Sequence, residues 1–356
     1  ITVRVYDNDF IVQSYGTPLS PTYGLVTPTI PAGYYDSLEG LSGNALKQAV
    51  QDIIANPAVV RAHNYGDIEF ILKEADKNPL NSNQVWQMYV ESPKPILDYQ
   101  TGSSNIGVWN REHIFPQSRG GFSGGTSSTA DGIGVWLPTN ADDILSGHAD
   151  AHHLRAEDGA ENSTRSNRDY GSDYNGPIGS QGSWNGDVSR ALFYMAVRYN
   201  GLNLVNGNPS DAIVGQIGDL ATLLTWNTTD PRDDFEMNRN NYIYTWQMNR
   251  NPFIDYPNLA DYIFGANFGQ QWFSTLSTQN PIENRVVVYP NPASEYLIVS
   301  GLEGSSKVEI YTITGQLVQS QDFNNEIHIN LDLHVGMYLV KVTNGSQSTT
   351  KKIIVK

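Results

Sequence analysis

The chain has 356 residues, room for two ordinary domains, and its 32 glycines and 18 prolines argue against a helical bundle. Cysteine is absent, which excludes disulfides, a thiolate nucleophile and Cys-type zinc sites and leaves oxygen and imidazole as the metal ligands. A formal charge of −15 works against generic adhesion to phosphates, and no run is long and apolar enough for a transmembrane segment. Ile1–Phe10 lacks the basic and apolar regions of a signal peptide, so a processed product is expected.

In chain order, residues 1–33 read as an extended segment. Val3, Val5, Phe10 and Val12 alternate as in a strand, and Pro18, Pro21, Pro28 and Pro31 keep the following stretch extended. Leu46, Val50, Ile53 and Ile54 then fall at helical spacing, with Ser42 or Asn44 as a cap and Pro57 as a stop. Further helices are predicted over 67–75, 82–90, 187–201, 213–226 and 233–248, which makes 34–273 a mainly helical domain. The polar stretch 274–285 reads as a linker. Seven short β-rich runs follow within 286–356, parted by Pro290 to Pro292, Gly301, Gly315, Gly336 and Asn344-Gly345, and predict a β-sandwich.

Two segments carry chemistry. Val108 to Gly121, VWNREHIFPQSRGG, sets a Glu-His pair at the end of an apolar lead. Hydrolysis of a phosphodiester needs a group that takes a proton from water near neutral pH, which imidazole does. It also needs positive charge against the developing oxyanions, which a hard divalent cation supplies from carboxylate and amide oxygens. His113 suits the first task and Glu112 the second; a surface ion pair or a packed histidine is the alternative for the same two residues. Asp150 to Asn167, DAHHLRAEDGAENSTRSN, reads as a strand, a polar loop and a helix start. There Asn162, Arg165 and Asn167 gather where exposed amides favour phosphate, although Asn162 or Ser163 would serve equally as a cap. His148, His152 and His153 form a rival zinc set. Arg111, Arg119, Arg155, Arg165, Arg168, Arg190 and Arg198 crowd the middle of the chain, to meet phosphate or to pair with neighbouring acids. Trp109 and Trp184 suit either base stacking or the core.

These motifs together resemble the endonuclease I family of His-Me finger (ββα-metal) nucleases, especially its secreted bacterial RNase and DNase branch. The resemblance runs from about Tyr34 to Ile263 through Asn110–Ser118, Asp150–Arg155, Asn162–Asn167, GDVSRALFYMAVRY at 186–199 and NRNPFIDYP at 249–257. Ala156 stands where proline is common. The resemblance implies an α+β fold, a mainly helical nuclease domain with an embedded ββα-metal motif followed by a small all-β sandwich. It implies that His113 is the general base and that Glu112 and Asn162 hold one Mg²⁺, with Ca²⁺ or Mn²⁺ as substitutes. The implied substrate is DNA, RNA or both, cut to leave 5'-phosphate ends. Arg165, then Arg155 and Arg119, are the expected phosphate contacts, Arg165 because it would lie one turn from Asn162 at the helix start. The competing class is a nucleic-acid or carbohydrate-binding module without turnover.

The tail has its own resemblance. YPNPA at 289–293, VEIYTITGQLV at 308–318, LHVGMYLVKV at 333–342 and the terminal KKIIVK look like the C-terminal sorting domain of the type IX secretion system. That implies a Gram-negative organism of the Bacteroidetes kind, passage through the periplasm, engagement of the type IX machinery, and a secreted or cell-surface product. The tail has no tryptophan, which disfavours a sugar-stacking platform.

Overall fold

The computed structural model describes residues 9–274, 286–302, 304–344 and 347–356. The chain divides into two units, Ile1–Ser274 and Thr275–Lys356. Val3 and Val5 and all but the first residue of the stretch 274–285 lie outside the described residues.

The first unit is mixed α and β. Helix Gly43–Ile54 turns Leu46, Val50 and Ile54 inward at the predicted spacing, and helix Tyr65–Ala75 starts at Asn64, whose side chain accepts from the Asp67 amide. Helix Asn185–Arg198 forms the centre; every residue from Gly186 to Arg198 is buried. Helix Asp234–Gln247 begins with the Asp233 side chain accepting from the Glu236 amide and ends where Met248 turns left-handed. One apolar cluster gathers around Leu192, Phe193 and Val197 of the central helix, and a second holds Ile68, Ile71, Trp109, Leu154 and Ile243.

Three expectations change. Residues 82–90 are not helical: Gln84–Gln87 pairs antiparallel with Ser92–Pro95, Val85 facing Lys94 and Trp86 facing Pro93. β-branched and aromatic residues favour this pairing, and Glu91 at φ 50° makes the turn. The helix expected over 213–226 starts only at Leu220, because Gln216–Ile217 is a short strand parallel to Asn203–Leu204. Phe10 and Val12 are exposed and form no strand. The N-terminal segment is instead held by the Asp234 carboxylate, which accepts from the amides of Leu25 and Val26 at 3.2 and 2.9 Å.

The second unit is all β, as expected. Among the described residues, seven strands form a three-stranded and a four-stranded sheet. Leu297 and Val299 of the first sheet share a core with Val308, Ile310, Val340, Val342 and Ile353 of the second, the arrangement of a sandwich. Among the described residues no helix is long and apolar enough to cross a membrane.

Candidate active site

Strand Trp109–His113 pairs antiparallel with Leu154–Asp158, setting Glu112 opposite Arg155 and His113 opposite Leu154. The second strand runs straight into helix Gly159–Arg165, which the Asp158 carboxylate caps by accepting from the Ala160 and Glu161 amides. Gly159 is required at this junction, since a Cβ there would lie 2.6 Å from the Asn105 carbonyl oxygen. Asn162 is therefore neither the cap nor in the first turn of the helix; it sits in the middle, and Arg165 ends the helix.

Side chains alternate along a strand, and the contacts follow that alternation. Asn110 and Glu112 meet the helix: Asn162 Nδ2 donates to Asn110 Oδ1 at 2.8 Å, and Arg165 Nη1 lies 3.3 Å from Glu112 Oε1. Arg111 and His113 instead meet Tyr65, whose ring centroid is 3.5 Å from the Arg111 guanidinium carbon and 5.2 Å from the imidazole centroid.

His113 is buried, and its Nε2 lies 3.0 Å from the His148 carbonyl oxygen. A carbonyl only accepts, so Nε2 carries the hydrogen and Nδ1 presents a lone pair. The Gln117 amide nitrogen faces that lone pair at 3.1 Å. Burial, helped by the neighbouring His153, His148 and Arg111, pushes the His113 pKa well below its ordinary value, so the ring stays neutral near pH 7. Glu112 is buried too. Desolvation raises its pKa to about 7 against the opposing pull of Arg165 and a 2.8 Å hydrogen bond from the Tyr89 hydroxyl.

The expected phosphate contacts require correction, because Arg119, Arg155 and Arg165 are all buried and engaged. Arg165 donates to the carbonyls of His113 and Ile114 at 3.1 and 2.7 Å and packs over Tyr170. Arg155 pairs with Asp76 and Asp187 at 3.1 and 2.6 Å. Arg119 pairs with Asp169 and Asp211 at 2.9 and 3.1 Å and donates to the Gln216 and Asn167 carbonyls. Arg190 and Arg198 are likewise buried, Arg190 against Glu236 and Arg198 against the Asn140 carbonyl. The half-exposed arginines near the hairpin are Arg111 and Arg168. Trp109 and Trp184 are core residues.

The rival zinc set does not assemble: among the described residues no group of three or more His, Cys, Asp or Glu side chains could hold a metal. His148 Nδ1 accepts from the Thr126 amide at 3.0 Å, His152 Nε2 faces the Asn249 carbonyl at 3.1 Å, and His153 Nε2 faces the Gly147 carbonyl at 2.7 Å. Burial lowers the pKa of both His152 and His153 to about 4. Because the folded value lies below the unfolded one near 6.5, this stabilisation is fully present above pH 6.5 and is lost as pH falls through about 4. It amounts to about 3 kcal/mol per ring. The midpoint of urea unfolding read by tryptophan fluorescence is expected to fall steeply over that window, with a shallower fall in His153→Gln. Equal slopes would remove His153 from the account.

Some participants had no sequence signal. Tyr65, Tyr89 and Tyr170 reach the hairpin from distant segments, while Gln117 stood inside the motif without a role. Glu112 and His113 thus sit on one buried strand, with Asn162 on the helix that packs against it. The endonuclease I family matches residues 42–182 and 177–258, and the chain belongs to that family. It is 37% identical over 285 residues to an extracellular ribonuclease of Bacillus amyloliquefaciens, covering 73% of this chain and 89% of the relative. It is 36% identical to an extracellular ribonuclease of Bacillus subtilis (strain 168), covering 65% and 78%. Residues 287–356 match the secretion system C-terminal sorting domain. Among solved structures, PorZ of Porphyromonas gingivalis, a surface component of the type IX secretion system, is 22% identical with a TM-score of 0.21, over 25% of this chain and 13% of that one. The protein is thus a metal-dependent nuclease acting on nucleic acids, and its tail directs it to the cell surface or beyond.

Proposed function

We propose that the protein hydrolyses phosphodiester bonds of RNA and DNA with little sequence preference, using His113 as general base and Glu112 and Asn162 as the ligands of one Mg²⁺. The observation that carries this reading is the His113 tautomer: with Nε2 committed to the His148 carbonyl, Nδ1 is the atom left to take a proton from water. Displacing the Gln117 amide exposes that atom to a substrate-bound water.

The donor set fits a hard cation. A fully buried carboxylate whose charge is disfavoured by desolvation gains from a positive ion beside it. The bond from Asn162 Nδ2 to Asn110 fixes the amide and leaves Oδ1 as its remaining donor atom. Two protein oxygens with water completing the shell suit Mg²⁺, with Ca²⁺ or Mn²⁺ as substitutes. When bound, the ion supplies charge that stabilises the phosphoryl and leaving oxygens. Arg165 positions the hairpin by holding the carbonyls of His113 and Ile114. Arg111 takes the phosphate role, being half-exposed and on the same side of the strand as His113. Attack by water in line with the 3'-oxygen, which leaves with a proton as a 3'-hydroxyl, gives 5'-phosphate ends on either polymer and needs no 2'-hydroxyl. The relatives' name as ribonucleases supports RNA among the substrates.

A zymogram on plasmid DNA and on RNA, with and without EDTA, tests the reading. Activity that disappears in EDTA and returns with Mg²⁺ is expected; full activity in excess chelator would refute the metal assignment.

A further inference from the structure

A pocket of about 550 Å³ lies beside the start of helix Tyr65–Ala75, lined by His63, Thr126, Val135, Trp136, Leu137 and Leu145 among others. Its size is in the range of small-ligand sites. One wall is the strand pair in which Arg61 faces Pro138 and Ala62 faces Leu137. Another is the loop 125–132, pinned to the start of helix Tyr65–Ala75. Tyr65 N donates to Thr126 Oγ1 at 3.0 Å, Gly66 N to the Ser127 carbonyl at 3.1 Å, and Asp67 Oδ1 accepts from the amides of Asp131 and Gly132. A Cβ at Gly66 would lie 2.2 Å from Ala130 N, so loop and helix start are in direct contact.

The pocket adjoins the proposed base through one residue. Thr126 Oγ1 is 3.0 Å from His148 Nδ1, and the His148 carbonyl holds His113. Its apolar lining is exposed, with Trp136 at 42% and Leu137 at 72%. The Arg61 guanidinium lies 4.6 Å from the indole centroid. The guanidinium covers one indole face, and the exposed indole on the lining offers its free surface for a base to stack on. Asp131 and Asp143, also on the lining, offer carboxylate acceptors to base N–H groups.

We infer that this pocket receives an unstacked nucleobase of the substrate strand, next to the phosphate being cut. The inference rests on the nuclease reading and deepens it: a base enters only after leaving its stack, so single strands are cut in preference to duplex. Cleavage of single-stranded trinucleotides by the full chain, in ribo and deoxy forms and with the base deleted at each position in turn, tests it. Deletion at one position is expected to lower wild-type kcat/KM by about 5- to 100-fold, the scale of one base–aromatic stack. Trp136→Ala loses a similar factor on the intact trinucleotide and no longer distinguishes it from the base-deleted one, while Trp136→Phe restores most of the discrimination. Wild-type enzyme that cuts all the trinucleotides equally overturns the pocket alone, as does Trp136→Ala that discriminates like wild type. Wild-type enzyme that cuts none of them, nor any longer RNA or DNA, overturns the nuclease reading and the pocket with it.

Discussion

His113→Ala is expected to lower single-turnover cleavage by about 10² to 10⁴-fold, the usual contribution of a positioned acid or base, or about 3 to 5 kcal/mol of barrier. Water must surrender a proton as it attacks phosphorus. A neutral imidazole accepts it without adding negative charge beside an anionic phosphate, as a free carboxylate would. The structure keeps the ring in the accepting form by two means: the His148 carbonyl fixes the hydrogen on Nε2, and burial holds the pKa well below its ordinary value. Glu112 is assigned to the cation, so no second base stands ready. The Arg165 bond to residue 113 is made to the main-chain carbonyl and survives the substitution. Metal and substrate affinity should therefore stay near wild type, measured by calorimetry and by oligonucleotide binding in Ca²⁺. Added imidazole should restore part of the rate if the cleft admits it. Near-normal cleavage without imidazole would remove His113 from the general-base role.

The same residues show where a sequence is readable and where it is not. The strand that carries Glu112 and His113 was legible because its apolar lead and its register are local, whereas the faces its alternating side chains meet depend on partners elsewhere in the chain. The seven strands of the tail were legible because glycine, proline and Asn-Gly punctuate short β-branched runs. Arg119, Arg155 and Arg165 were misread because a guanidinium suits a phosphate and a buried carboxylate equally, and the choice depends on partners far along the chain. Arg155 meets Asp76 and Asp187, which no spacing announces. Residues 82–90 failed for another reason. Val85, Trp86, Met88 and Tyr89 fit helical spacing, but Val85 and Trp86 pair across to Lys94 and Pro93. Short apolar runs carry that ambiguity intrinsically. Tyr65 and Tyr89 could not be placed at the site at all, since a tyrosine in an ordinary helix or turn carries no mark of what its ring will cover.

Asp76→Ala is expected to destabilise the first unit by about 3 to 5 kcal/mol, as removal of one partner from a buried ion pair typically does. Asp76 closes helix Tyr65–Ala75 and is fully buried. Its Oδ1 accepts from Arg155 Nε at 3.1 Å and Arg239 Nε at 2.8 Å, and its Oδ2 accepts from the Ala156 amide at 2.7 Å. One carboxylate thus fastens the helix end to strand Leu154–Asp158 and to helix Asp234–Gln247. Without it two buried guanidinium groups crowd together with less compensation. Burial already lowers the Arg239 pKa in spite of Asp76. Arg155 would retain Asp187, and Arg239 the carbonyls of Ala151 and Leu154, which limits the loss to a few kcal/mol. Asp76→Asn should cost less, because an amide oxygen still accepts from Ala156 while the charge is gone. All seven tryptophans lie in the first unit, so urea unfolding followed by tryptophan fluorescence reports on that unit directly. A shift under about 1 kcal/mol for Asp76→Ala, within the range of exposed pairs, would show that the buried guanidinium groups are held by their other partners.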